Sequence, residues 1–186
     1  VIAHSNFAIR RNLFESKNQL YEMNLTLRDQ ALRDSLTKLY NNGYMFDFIE
    51  KAIQNQDKCG NVFSLLMIDI DDFKRVNDEY GHLFGDQVIC SIADKLMELT
   101  RSHDIVGRYG GEEFIIALCG ADIGTAGDIA ERIRREVEAL KFDVEMTISV
   151  SIGISEYSNQ STMELVKIAD ENLYKAKKAG KNRVIA

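Results

Sequence analysis

Apolar residues follow two rhythms along this chain, a helical one of about 3.6 residues and a strand one of 2, and their order predicts the architecture. Across residues 9–33 there is no glycine, helix formers dominate, and Leu13, Leu20 and Leu27 recur at intervals of seven. With those leucines at one seam position, Ile9, Ser16, Met23 and Gln30 fill its partner position, so the seam is half apolar and half polar. A helix this polar has little core to bury, so it should either pair with a copy of itself through a weak coiled-coil face, the favoured reading, or lie against the following domain. Asp34-Ser35-Leu36-Thr37 then breaks the pattern with cap-forming side chains, and Asn41-Asn42-Gly43 signals a turn. Phe46, Ile49 and Ile53 mark one face of a helix over 44–54. Residues 62–70 form an almost unbroken apolar run that ends in acids, the mark of a buried central strand.

Residues 71–80 are short and polar, and 81–85 are marked by glycines. Val88, Ile89, Ile92, Ala93, Leu96 and Leu99 predict a helix over 86–99. Two short strands are expected at 104–109 and 113–118, joined by a hairpin turn. Ala126, Ile129, Ala130, Ile133, Val137 and Leu140 predict a further helix, and Val144, Met146, Ile148, Val150, Ile152 and Ile154 alternate without a miss as a strand. A last helix over 162–179 stops at Gly180, and 182–186 reads as a short edge strand. After the first two helices the order is strand, helix, strand, strand, helix, strand, helix. That order predicts an α+β fold, a ferredoxin-like βαββαβ sheet with additional helices, preceded by the N-terminal helix. The boundary falls between 33 and 34, giving a helix at 1–33 and one domain at 34–186.

Composition narrows the function classes. A chain of 186 residues has room for one well-buried domain, and a net charge of -6 argues against a sequence-independent nucleic-acid surface. A small phosphate-bearing molecule stays open, provided metals and a few placed lysines neutralise it. Cys59, Cys90 and Cys119 are odd in number and widely spaced, so packing roles in a reducing cytoplasm are expected. No run is long enough to span a membrane and no signal peptide is visible, so no membrane contact is expected within the chain. Because it begins at Val1, it is expected to be a piece of a longer protein: cytoplasmic, or the cytoplasmic part of a membrane-anchored one.

The candidate chemistry centres on Arg108-Tyr109-Gly110-Gly111-Glu112-Glu113-Phe114. Two glycines between strand-forming residues predict a tight turn with positive φ, where a polyphosphate can approach bare backbone. Glu112 and Glu113 open the second strand and should face opposite ways. By themselves they read as solvated acids on a surface hairpin. Asp69 changes that, because an acid embedded in Leu66-Met67-Ile68-Asp69-Ile70 is costly to desolvate without a partner. In a βαββαβ sheet the first strand lies beside the hairpin, so Asp69 and Glu112 can meet. With the Ile70 carbonyl they form a hard-oxygen site suited to Mg²⁺ or Mn²⁺, and two such ions could bind phosphates and activate a hydroxyl.

Further motifs stand in fixed order: Asp34-Ser35-Leu36-Thr37; Asp69-Ile70-Asp71 with Phe73-Lys74 and Asn77-Asp78; Gly81-His82 with Gly85-Asp86; Ser151-Ile152-Gly153; Ala169-Asp170 with Tyr174, Ala176-Lys177 and Gly180-Lys181-Asn182. In this set, from residue 34 to the end, the sequence resembles the GGDEF-domain diguanylate cyclases, in the variant with a Gly-Gly-Glu-Glu-Phe signature. The resemblance implies a palm-like fold shared with polymerases and nucleotidyl cyclases, and condensation of two GTP into cyclic di-GMP and two pyrophosphates. It implies Asp69 and Glu112 as metal ligands with the Ile70 carbonyl, two Mg²⁺ or Mn²⁺ ions per GTP half-site, and Glu112 assisting deprotonation of the ribose 3′-hydroxyl. Glu113 belongs to the same catalytic set without an assignable role.

Asn77 and Asp86 match the guanine readers; a carboxylate can accept from the guanine N1–H and 2-amino groups while the amide serves the N3 or amino edge. Lys74, Lys177 and Lys181 match phosphate-contacting positions, and Asp72, Phe73, Gly110 and Gly111 line the same nucleotide site. Arg101-Ser102-His103-Asp104 matches the product-inhibition motif, with Arg132 as a secondary contact, so cyclic di-GMP is expected both as product and as allosteric inhibitor. Since each unit holds one GTP, a homodimer with facing active sites is implied, helped by the N-terminal helix. The sequence departs from the family at Lys181, where arginine is commoner, at Asn41-Asn42 in place of Asn-Arg, and at Lys38, where glycine is frequent. The rival readings are a receptor that no longer turns over GTP, a structural dimerising domain, and a cyclase of another base preference. Asp69, Glu112 and Asn77, whose loss would favour the receptor, are all present.

Overall fold

The computed structural model describes residues 16–24, 27, 29–55 and 62–186. The chain divides into two compact units, Val1–Arg33 and Asp34–Ala186. In the first, helix α1 is helical at 16–24, 27 and 29–32, and Leu20, Met23 and Leu27 are exposed on it. The seam positions Ile9 and Leu13 lie outside the described residues.

The second unit runs β1 (Tyr40–Asn41), α2 (Asn42–Asn55), β2 (Phe63–Ile70), α3 (Phe73–Tyr80), α4 (His82–Leu99), β3 (Ile105–Arg108), β4 (Glu113–Cys119), α5 (Ile123–Glu138), β5 (Val150–Glu156), α6 (Thr162–Lys178) and β6 (Val184–Ile185). The sheet order is β1-β3-β4-β2-β5-β6. Its four central strands have the ferredoxin-like arrangement that the element order predicts, antiparallel throughout.

Helices cover both faces. One layer packs α3, α4 and α5 against Leu66, Ile68, Phe114, Ile116, Ile152 and Ile154. The other packs α2 and α6 against Leu65, Met67, Ile115 and Ala117. With both faces covered, all eight residues of β2 are buried, which is why its sequence reads as a continuous apolar run rather than an alternation. On the α6 side β5 offers Ser151, Gly153 and Ser155, small residues that let the helix close in. A methyl at Gly153 would lie 2.1 Å from the Ala169 carbonyl oxygen and 2.2 Å from the Leu173 nitrogen, so the α6 backbone rests on the strand itself.

Several boundaries differ from the periodicity. The alternation from Val144 becomes a strand only at Val150, opposite Ile70, where β2 ends; beyond that pair the Ser149 carbonyl accepts from Asp71 N–H at 2.9 Å and the regular pairing stops. Residues 73–80 form α3, too short to register as a helical pattern, with Phe73 and Val76 buried one turn apart. Helix α4 begins at His82 rather than 86, taking Gly85 into its interior. Asn41 does not end a turn but caps α2, its side-chain oxygen accepting from Tyr44 N–H at 3.0 Å. Lys38 occupies a left-handed conformation (φ 61°), which accounts for glycine being the easier residue there. Of the cysteines, Cys119 is buried in the core on the α2 and α6 side, Cys90 is a half-buried free thiol, and Cys59 lies outside the described residues.

Candidate active site

Strand register brings Asp69 of β2 directly opposite Glu113 of β4. Asp69 faces the α6 layer and is 3% exposed. Along α6, Ala169, Leu173 and Lys177 fall four apart on the face that meets the sheet, so the close approach at Gly153 carries Lys177 to the strand end. There Lys177 Nζ pairs with Asp69 Oδ2 at 2.6 Å. The other carboxylate oxygen, Oδ1, is buried without a hydrogen-bond partner. Burial raises the Asp69 carboxyl to a pKa of about 6, opposed by Lys177 and reinforced by the negative charges of Glu112 and Glu113. Burial also raises the Glu113 carboxyl, again opposed by Lys177.

The glycine turn is not the tight positive-φ hairpin its sequence suggests. Neither Gly110 nor Gly111 has a positive φ, and the loop closes more widely, with Tyr109 N–H and Gly110 N–H both donating to the Glu113 carbonyl (2.8 and 3.3 Å). Gly110 serves for lack of bulk instead. A methyl on Gly110 would lie 2.6 Å from Glu113 Oε2, so the Glu113 carboxylate folds over bare backbone. Gly111 has open space where a side chain would project. Glu112 precedes the strand, and its carbonyl accepts from Ile70 N–H at 3.3 Å, tying the loop to the end of β2.

Arg108, to which the sequence gives no role, holds this loop from the other side. Its Nε and Nη2 donate to the Gly111 carbonyl (3.2 and 2.6 Å), and its Nη1 donates to Asp34 Oδ1 at 3.0 Å. The same Asp34 oxygen accepts from Thr37 N–H and Thr37 Oγ1, both at 2.8 Å. No local pattern joins positions 34 and 108; only the fold does.

Beyond β2, Asp71 is held by hydrogen bonds from β5 and from the loop after α6. Its Oδ1 accepts from Ser151 Oγ, and its Oδ2 from Ser149 Oγ and Asn182 N–H, at 2.7, 2.7 and 2.9 Å. Asn182 is also gripped by Arg134 and Glu138 of α5. This fixes the loop after α6, where Lys181 (φ 61°) pairs with Asp72. Asp72 is itself left-handed (φ 55°) at the start of α3, with Phe73 buried and Lys74 exposed behind it. Asn77 packs its amide against Gly85, beside the exposed Asp86. Of the three lysines expected at phosphate, Lys177 and Lys181 are therefore paired with carboxylates, and Lys74 is exposed.

Away from this cluster, the turn between α4 and β3 carries the exposed Arg101. Asp104 is buried, and its carboxylate accepts from the Arg101 and Cys119 main-chain N–H groups (2.9 and 3.2 Å), so it braces the turn. Arg132 of α5 donates to the Leu99 carbonyl at 2.8 Å, which brings it to the same corner as Arg101.

Among the described residues, no three His, Cys, Asp or Glu side chains converge as a metal cluster. The expected set needs only two carboxylates and a main-chain carbonyl, which the end of β2 and the adjoining loop bring together. The orphaned Asp69 oxygen fits a hard cation: a buried, charged acceptor without a donor is costly unless something positive meets it.

Comparison with known proteins identifies the family of this fold. The family described as "Diguanylate cyclase, GGDEF domain" matches residues 31–183. Two curated proteins of Escherichia coli strain K12 are each 38% identical to the chain: diguanylate cyclase DosC over 162 residues and diguanylate cyclase DgcM over 161 residues. These alignments take in 84% and 86% of this chain but 35% and 39% of the relatives, so the chain spans little more than a third of their length. Among solved structures, the coiled coil and GGDEF domain of DgcB from Caulobacter crescentus, in complex with c-di-GMP, superimposes with a TM-score of 0.90. It is 31% identical, with 96% of this chain and 97% of that one covered. The active GGEEF domain of a Vibrio cholerae diguanylate cyclase gives a TM-score of 0.74 at 32% identity, covering 78% of this chain and 95% of that one. A fold, a motif set and a profile that agree over the whole second unit show that this chain belongs to the GGDEF diguanylate cyclase domain family.

Proposed function

We propose that the chain condenses two GTP molecules into cyclic di-GMP, releasing two pyrophosphates, at a site completed by two facing subunits. The observation that carries this reading is the end of β2. There a buried carboxylate with one unpartnered oxygen lies against the Glu112–Glu113 loop and within reach of a phosphate-type lysine. The naming of both curated relatives as diguanylate cyclases supports it.

Asp69, Glu112 and the Ile70 carbonyl would hold two Mg²⁺ or Mn²⁺ ions in each half-site. When bound, these supply neutralisation of the triphosphate and stabilise the charge that develops during transfer. Asn77 and Asp86 read the guanine. Lys177 and Lys181 exchange Asp69 and Asp72 for phosphate oxygens, while Lys74, Asp72, Phe73, Gly110 and Gly111 line the triphosphate. Glu112 takes the proton from the 3′-hydroxyl of one GTP. That oxygen attacks the α-phosphorus of the other as its bond to pyrophosphate breaks, and the reciprocal step closes the ring. The product then binds Arg101 and Arg132 and restrains further turnover, with Asp104 setting the shape of the turn. We place the activity in the cytoplasm, where GTP is found; among the described residues no helix is long and apolar enough to cross a membrane.

Incubating the purified chain with GTP and Mg²⁺ is expected to yield cyclic di-GMP, separable by chromatography. Glu112→Gln should abolish it while leaving the fold intact. A folded, GTP-binding wild type that yields no product would favour a nucleotide receptor instead.

A further inference from the structure

We infer that Gly85 positions Asn77 for base recognition and so helps set the preference of the site for guanine; this rests on the reading of Asn77 and Asp86 as the base-recognising pair. Gly85 lies inside α4, is buried, and is not among the positive-φ glycines, so the chain conformation does not require it. Glycine in a helix interior is destabilising relative to alanine, which leaves its presence to be explained by what fills the space. That occupant is the Asn77 side chain. A methyl at position 85 would lie 2.0 Å from Asn77 Oδ1, 3.1 Å from Asn77 Cγ and 3.1 Å from Phe73 Cζ.

The backbones cannot part to relieve such a contact. Gly81 N–H donates to the Asn77 carbonyl at 2.9 Å, and Gly85 N–H donates to the Gly81 carbonyl at 3.1 Å, so residues 77, 81 and 85 are stacked through consecutive main-chain bonds. Phe73 is buried beneath them. A side chain at position 85 is therefore accommodated by rotating the Asn77 amide away from its place over Gly85, with a small shift of the Phe73 ring. The fold then survives and base discrimination is lost.

The test is an equilibrium titration of the chain with α,β-methylene analogues of GTP, ITP and ATP, which cannot react at the α-phosphorus. ITP lacks the 2-amino group that an amide on that edge would read. Wild type should prefer the guanine analogue. Gly85→Ala should lose roughly tenfold in guanine affinity, the scale of one lost hydrogen bond, and its guanine-to-inosine ratio should fall to that of Asn77→Ala. Its melting temperature should not drop, since alanine is the better helix former. The double variant Asn77→Ala/Gly85→Ala should match Asn77→Ala alone in affinity and ratio, because the group that Gly85 positions is gone. A Gly85→Ala chain that keeps the wild-type ratio, or a double variant whose loss is the product of the two single losses, would overturn this inference alone. Equal binding of all three purines by wild type would overturn the base-recognition reading, and this inference with it.

Discussion

Asp69 shows most directly how function strains the fold at a single residue. Its carboxyl is raised from 3.8 to about 6, chiefly by burial, so the folded state holds its proton more tightly than the unfolded chain does. Below pH 3.8 the group is neutral in both states and costs nothing; the penalty grows between there and pH 6 and is complete above it. A displacement of about two units corresponds to roughly 3 kcal/mol at most. Asp69→Asn is therefore expected to stabilise the chain by roughly 1–3 kcal/mol at pH 7.5, with the gain vanishing towards pH 4, while turnover is lost. Urea denaturation at the two pH values measures the first effect and product formation the second. The sequence exposed this residue because an acid in a strand-forming apolar run is locally anomalous. It could not expose Lys177 as the partner, since a lysine near a helix end reads equally well as solvated. It misjudged Gly110 and Gly111 because glycine signals freedom without saying which kind: at Gly110 it is missing bulk, and at neither is it a left-handed turn.

Among the elements, α6 is the one whose placement matters most to the site, and its contact with β5 at Gly153 sets that placement. Gly153→Ala would force a methyl into the α6 backbone, which cannot yield as a side-chain tip can. A loss of about 1–3 kcal/mol is expected in chemical denaturation, with weakened nucleotide binding, because Lys177 lies one turn beyond Leu173 on the displaced helix. The corner formed by α4, β3 and α5 governs a separate property. Arg101→Ala should relieve inhibition by added cyclic di-GMP while leaving the initial rate near wild type, as read from progress curves with and without product. Long elements were legible in the sequence because their periodicity persists through several turns or pleats. Two of the short ones were not: β1 has two residues and α3 eight, so neither contains enough repeats to declare a period. The strand expected from Val144 shows the complementary limit. Alternation records which side chains are buried, and Ile148 is indeed buried, but whether a ladder forms depends on a partner strand elsewhere in the chain.

For the molecule as a whole, the proposed reaction calls for a second copy, and α1, with Leu20, Met23 and Leu27 exposed, is the segment we propose recruits it. The match to a relative described as a coiled coil and GGDEF domain, over 96% of this chain, supports that reading. Removing residues 1–33 should abolish most activity at low protein concentration and restore it at high concentration, as the lost tether is replaced by mass action. Equal specific activity at all concentrations would show that α1 has no part in pairing. Arg108 adds a mechanical consequence. One guanidinium spans Asp34, the first residue of the catalytic unit, and Gly111, the residue before Glu112, although 74 positions separate Asp34 from Arg108. The linkage is a short strut of three hydrogen bonds, one to Asp34 and two to the Gly111 carbonyl, by which one side chain would pass a twist imposed at residue 34 to the Glu112 peptide.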